Sequence, residues 1–142
     1  MPFAQAAGVA DMVREAPRRL PYLDALGVLA RSDALLLIGS DEPHYTASKI
    51  YPALMSSRPY LSLFHAASSA HQILSEAGGG VALSFSNDED LAVLVPDLAR
   101  ALRMLVEHGH TFGPPNQDAV VPYSAEHVAR RFASIFDRVA NP

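Results

Sequence analysis

Between Asp41 and Lys49 the chain carries Asp41, Glu42, His44, Thr46, Ser48 and Lys49, six polar or charged side chains within nine residues. The stretch follows an aliphatic run and precedes sequence of helical character. A helix start offers free backbone N–H groups and a partial positive charge, so this order suits the capture of an anion. Thr46 and Ser48 are both candidate N-caps, and the Lys49 ammonium would add a formal charge to a phosphate cradle. An ordinary capped turn with a solvated lysine accounts for the same residues equally well.

Other reactive residues point less clearly to chemistry. Of the six histidines, His108 and His110 have the spacing of two metal ligands. No third ligand falls nearby in the sequence, and histidine is also favoured at helix C-termini for its interaction with the dipole. No metal and no cofactor is therefore expected. His65, just after an apolar run, is better placed to reach a ligand. Ser68, Ser69 and His71 lack the strand–GxSxG–helix context of a nucleophile elbow, and capping explains the serines. Gly78-Gly79-Gly80 is a turn, because no Lys-Ser/Thr follows to make it a phosphate loop. No residue is assigned as catalytic.

The elements that must position these residues are legible as apolar runs. Ala34–Ile38, Pro59–Phe64 and Gly80–Phe85 are short, rich in Leu, Val or Phe, and bounded by Gly, Ser, Pro or Asp, as buried strands are. Leu23, Leu26 and Ala30 recur at helical spacing before the first run, and 48–55 lies between the first and second. Ser69–Ala77 carries Ala70, Ile73, Leu74 and Ala77 on one face and ends at a glycine C-cap signal. Ser86-Asn87-Asp88-Glu89 reads as a capping box, with Pro96 interrupting the helix that follows. Gly109–Pro122 is a polar, proline-containing loop. In the last helix Val128, Phe132, Ile135, Phe136 and Val139 share one face. Strands alternating with helices predict an α/β, three-layer, Rossmann-like parallel sheet flanked by helices. Three or four strands is fewer than a doubly wound domain normally has, so the sheet is expected to be incomplete.

Composition sets the outer bounds. Of 142 residues, 49% are apolar and 18% charged, which is globular rather than disordered composition. The net charge of −4, with scattered arginines, argues against a nucleic-acid partner. Without cysteine there is neither a disulfide framework nor a thiolate metal site. No run is long enough for a transmembrane segment and no signal peptide is apparent, so a cytoplasmic location is expected. Residues 1–19 form a lead-in and residues 20–142 a single domain.

From Tyr22 to Phe85 the chain resembles the second half of the nucleotide-sugar-binding, C-terminal domain of GT-B fold glycosyltransferases. The resemblance lies in an aliphatic strand, a polar loop, the Ser48-Lys49 pair, a short helix, Arg58-Pro59 and another strand. The segments SSAHQILSEAGGGVALSF and YSAEHVARRFASIFDRV are similar to the family's glycine-rich turn region and its final helix, which packs back on the sheet. Order and spacing agree from about Leu20 to Val139, although no single motif is diagnostic. The resemblance implies part of a glycosyltransferase that holds a nucleotide-diphosphate sugar for transfer to an acceptor hydroxyl. Its donor and phosphate contacts would come from Glu42, His44, Thr46, Ser48 and Lys49.

The departures from the family pattern are specific. Many retaining members carry two glutamates with seven residues between them, and those positions fall on His44 and Pro52. The glycine usual before the Arg/Lys-Pro pair is Ser57. The resemblance also implies basic diphosphate contacts and an acceptor domain upstream of the matched region. The chain is therefore expected to be inactive alone, and to need a missing N-terminal half or a homo-oligomer partner. Docking of Phe3–Arg14 across the sheet edge is a further expected remedy. The competing readings are a non-catalytic interaction module of the same fold and another doubly wound nucleotide-binding domain, such as half of a sugar-nucleotide epimerase.

Overall fold

The computed structural model describes residues 2–45 and 47–140, and the side chains of all of these except Asp88 and Glu89. Three strands, β1 (Leu35–Ile38), β2 (Tyr60–His65) and β3 (Gly80–Phe85), form one parallel sheet in the order β1-β2-β3. Leu35 lies opposite Tyr60, and Tyr60 opposite Gly80. The ladder continues past the strand ends, where Leu35 N–H donates to the Pro59 carbonyl and Gly39 N–H to that of Leu63, each at 2.9 Å. All three expected runs are strands, and the helices between them supply the crossovers that parallel pairing requires.

Short α1 (Pro2–Ala6) is followed by a 3-10 turn at Ala10–Met12, then α2 (Tyr22–Arg31), α3 (Ile50–Met55), α4 (Ser69–Ala77), α5 (Asp88–His108) and α6 (Ala125–Ala140). On one face of the sheet Ile50, Ala53 and Leu54 of α3 and Ala70, Ile73, Leu74 and Ala77 of α4 bury Leu35, Leu37, Tyr60 and Phe64. Helix α2 lies against α3, and its Leu29 packs on the same cluster. The opposite face has α5, whose Ala101 and Leu105 cover Leu61 with Val81 and Leu83 beside it. Burial of each large aliphatic side chain stabilises the fold by roughly 1.5–3 kcal/mol.

Helix α5 reaches β2 and β3. Leu36 and Ile38, on the face of β1 away from α3, are 57% and 54% exposed. The alternation in β1 is therefore buried–exposed, whereas central β2 is buried on both faces through Phe64 apart from half-buried Leu63. The sheet is open and small, as expected, with an uncovered apolar strip along β1.

Local signals act as their chemistry dictates in α4. Ser68 Oγ accepts the His71 N–H at 3.1 Å, and Gly78, at φ 62°, ends the helix in a conformation that costs side-chain-bearing residues dearly. The Tyr60 hydroxyl, fully buried, ties β2 to the end of α4, lying 2.6 Å from the Leu74 carbonyl and 2.9 Å from that of Gly78. Burial pushes this phenol from 10.0 up to about 12. The folded value is the higher one, so its contribution is complete below pH 10 and is lost as pH rises through about 12. Tyr60→Phe should lower stability at neutral pH by about 1 kcal/mol. In thermal melts the gap to wild type should close over that alkaline window; parallel profiles would refute the assignment.

Several expectations need correction. Helix α5 runs unbroken through Pro96. Proline removes one hydrogen bond, but the apolar face that continues through Leu98, Ala101 and Leu105 onto the sheet keeps the helix going. Its cap is shifted by one residue from the expected box. Asn87 Oδ1 accepts the Asp90 N–H at 3.0 Å, while Asp90 Oδ2 accepts that of Ser86 at 2.8 Å. The loop after α5 contains 3-10 turns at Gly109–Thr111, Gln117–Ala119 and Val121–Tyr123. The N-terminal segment does not dock across the sheet: α1 buries no residue, and Phe3 is 90% exposed. Nor does α6 pack back on the sheet. None of its residues is buried, and its contacts are chiefly with the turn at Val121–Tyr123.

Candidate functional site

All three strands run the same way, so the segments that follow them meet at one edge of the sheet, where α/β domains place their ligands. The first is the loop from Gly39 to Lys49. It begins flat on the core: a Cβ on Gly39 would stand 2.9 Å from Cε1 of Phe64. Ser40 Oγ accepts the Glu42 N–H at 3.2 Å, and the Tyr45 N–H donates to the Glu42 carbonyl at 3.1 Å. Tyr45 packs on the core, and Ala47 and Ile50 are buried in it. Anchoring of these three leaves Asp41, Glu42, His44 and Ser48 on the exposed side.

The Lys49 ammonium reaches back to the end of β1, donating to the Ile38 carbonyl at 3.0 Å. It also stands at the N-cap position of α3, where its side chain makes no capping hydrogen bond. The Ser48 carbonyl accepts the Tyr51 N–H at 3.3 Å, and Ser48 lies in the turn before the helix. Thr46 lies outside the described residues. The helix starts at Ile50, so Pro52 is in its first turn, where the missing N–H costs nothing. Pro52 lines a groove with Tyr22, Leu26 and Met55, facing α2. A carboxylate at that position would face α2 too.

His65 closes β2. Its ring meets Phe85 edge-on at 5.7 Å, and its Nδ1 accepts the Ala67 N–H at 3.1 Å. An accepting Nδ1 leaves the proton of the neutral ring on Nε2, so His65 offers an N–H donor at this edge. After β2 and β3, the helix starts are closed by Ser68 and by the Asn87–Asp90 pair. The edge thus combines donors at Lys49 and His65 with acids at Asp41, Glu42 and Asp90. Asp90 was not singled out because the expected capping box lies one residue earlier in the sequence, and the Lys49–Ile38 tie because it depends on chain reversal after β1.

Two buried side-chain atoms among the described residues lack a hydrogen-bond partner: Ser62 Oγ and His71 Nδ1. Burial holds the His71 imidazole below its ordinary pKa, which favours the neutral ring. His108 and His110 stand at the end of α5 and in the turn that follows, and no group of three or more His, Asp or Glu among the described residues is arranged to hold a metal. No helix among them is long and apolar enough to cross a membrane. Two grooves among the described residues lie away from the carboxyl edge. One of about 380 Å³ runs between β1 and α5, lined by Asp33, Leu36, Leu61, Leu102 and Val106. Another of about 350 Å³ separates α3 from the start of α6. Comparison with protein-family models, with curated proteins and with solved structures finds no match to this chain.

Proposed function

We propose that the carboxyl edge forms the donor side of a glycosyl-transfer site and takes a nucleotide-diphosphate sugar. The supporting observation is the presence of two hydrogen-bond donors, Lys49 Nζ and the Nε2–H of His65, on segments that leave adjacent parallel strands. Both suit a diphosphate, the more so as charge builds on it. In transfer, the bond between the sugar's anomeric carbon and the diphosphate oxygen breaks, and the acceptor oxygen bonds to that carbon. The departing diphosphate gains negative charge, which preorganised donors stabilise. Asp41 and Glu42, exposed on the same loop, are placed to accept from sugar hydroxyls. This reading requires a second body to present the acceptor, as the resemblance implies.

Amide chemical shifts of the full chain, titrated with nucleotide-diphosphate sugars and with plain nucleoside monophosphates, test the reading. Without that second body the donor should bind weakly, with a Kd of about 1 mM, equivalent to about −4 kcal/mol. Shifts should concentrate at 39–49 and 65–69 and be larger for the diphosphate sugars. Lys49→Met should weaken the effect. Equal response to all nucleotides would favour another doubly wound nucleotide-binding domain, and no response at these residues would sink the proposal. A second reading, a non-catalytic interaction module, is favoured by the uncovered apolar strip of Leu36 and Ile38.

A further inference from the structure

Helix α6 carries an apolar seam that no other described residue of the chain buries. Ala125, Val128, Phe132, Ile135 and Val139 follow one another at spacings of three, four, three and four residues, the a/d pattern of a coiled coil. Every one of them is exposed, with Phe132 at 56% and Val139 at 75%. Sixteen residues make a helix about 24 Å long. A free helix of that length is marginal in water, and its stability ordinarily comes from packing of the apolar face.

We propose that α6 is a pairing helix, through which two copies of this chain associate in parallel and in register. Charge placement selects the occupant and the orientation. In the heptad set by Ala125, the g positions are Arg131 and Arg138, and the e positions are Ala129 and Phe136. A parallel pair sets each g residue beside the e residue five positions on in the other helix, so the Arg131 stem lies along Phe136 and Ala129 meets Ser124, without like-charge contact. An antiparallel pair brings arginine towards arginine. Arg130 is engaged on the outer face, 2.6 Å from Glu126. The seam is bordered by arginines on one side only. Three arginines in α6 are set against Glu126 and Asp137, in a chain of net charge −4, which fits a protein helix better than an anionic lipid surface.

The seam is also continuous with an apolar groove on the globular body. Ser124 and Ala125, where α6 begins, line that groove with Tyr51, Met55, Val121 and Tyr123. The Tyr51 and Tyr123 rings lie 5.2 Å apart, and Met55 is 71% exposed. Parallel pairing brings both bodies to the same end of the helix pair, where each groove faces the other copy. Antiparallel pairing would hold them a helix length apart and leave both grooves open.

The chain lacks cysteine, so single introduced thiols give a clean readout. Sedimentation of the full chain should show a dimer at tens of micromolar. Phe132→Glu would bury a carboxylate from each copy at the seam and should weaken association by about a hundredfold or more. The body melts as before, because α6 contributes no buried residue to it. Under mild oxidation Val139→Cys should cross-link to itself rapidly. Ser134→Cys, off the seam, should lag behind it. In an antiparallel pair position 139 would lie about 20 Å from its counterpart. This cross-linking contrast needs no disruptive substitution, so it decides the case even where Phe132→Glu fails to fold. Four results would each overturn the proposal. They are a monomer at all concentrations, a monomer that binds anionic vesicles through α6, equal cross-linking at positions 134 and 139, or a dimer dissolved by Leu36→Glu and spared by Phe132→Glu.

Discussion

Phe64→Ala should remove about 3–5 kcal/mol of unfolding free energy, a large fraction of the roughly 5–15 kcal/mol of a domain of ordinary stability. Phe64 is one of the largest fully buried side chains, on central β2 within the cluster covered by α3 and α4. Its ring also lies directly beneath Gly39, at the first turn of the loop that carries Asp41, Glu42 and Lys49. Truncation leaves a cavity bounded on one side by paired strands and on the other by helices, neither of which can collapse into it freely. Urea denaturation followed by circular dichroism measures the loss. Surviving protein should also show altered amide shifts from Gly39 to Lys49, since the loop has lost its floor. A loss below about 1 kcal/mol would mean that this core is not close-packed around Phe64.

Gly80→Ala should cost about 3 kcal/mol, at the upper end of overpacking effects, and should open the start of the β2–β3 ladder. Gly80 pairs with Tyr60. An added Cβ would stand 2.7 Å from Cγ of the Tyr60 ring and closer still to the Tyr60 carbonyl oxygen. A flexible side-chain tip could swing aside, but a backbone carbonyl within a ladder cannot move without shifting the strand. The ring is fixed as well, held by the Tyr60 hydroxyl's bonds to Leu74 and Gly78. Gly113→Ala is the control, because a Cβ there meets nothing within 4 Å. Thermal melts of the two variants should differ by well over the effect of Gly113→Ala alone. Hydrogen exchange should increase at 80–82 in Gly80→Ala. Equal melting temperatures would show that the strands separate at this point without penalty.

Both expectations rest on positions whose environment follows from parallel pairing of the strands. The strands and their parallel sense were legible in the sequence, whereas their spatial order was not stated by it. Buried parallel strands need apolar side chains on both faces, so Ala34–Ile38, Pro59–Phe64 and Gly80–Phe85 stand out as largely apolar runs, each within a residue of the strand it forms. Helix α4 was legible at both ends, because Ser68 and Gly78 act on their own immediate backbone. What depends on more distant partners could not be read in this way. Pro96 breaks a helix by local rule, yet α5 continues across it because its apolar face is held on the sheet. The start of α3 at Ile50 follows from burial of Ala47, Ile50 and Leu54 beneath the loop rather than from a hydroxyl cap at Ser48. Lys49 was picked out as a cation before a helix, but its bond to Ile38 exists only because the loop doubles back on the strand.

Amphipathic pattern states that a face must be covered and is silent on what covers it. Leu36 and Ile38 read as half of a buried strand, and Val128 to Val139 as a helix for the core, yet tertiary structure leaves both exposed. The sequence by itself determined the strands, their parallel sense and the polar loop after β1, because each is written in contiguous residues and their alternation with helices. Which faces close, where α6 goes and which donors meet at the carboxyl edge were decided only in three dimensions, because those contacts join segments that no local rule connects.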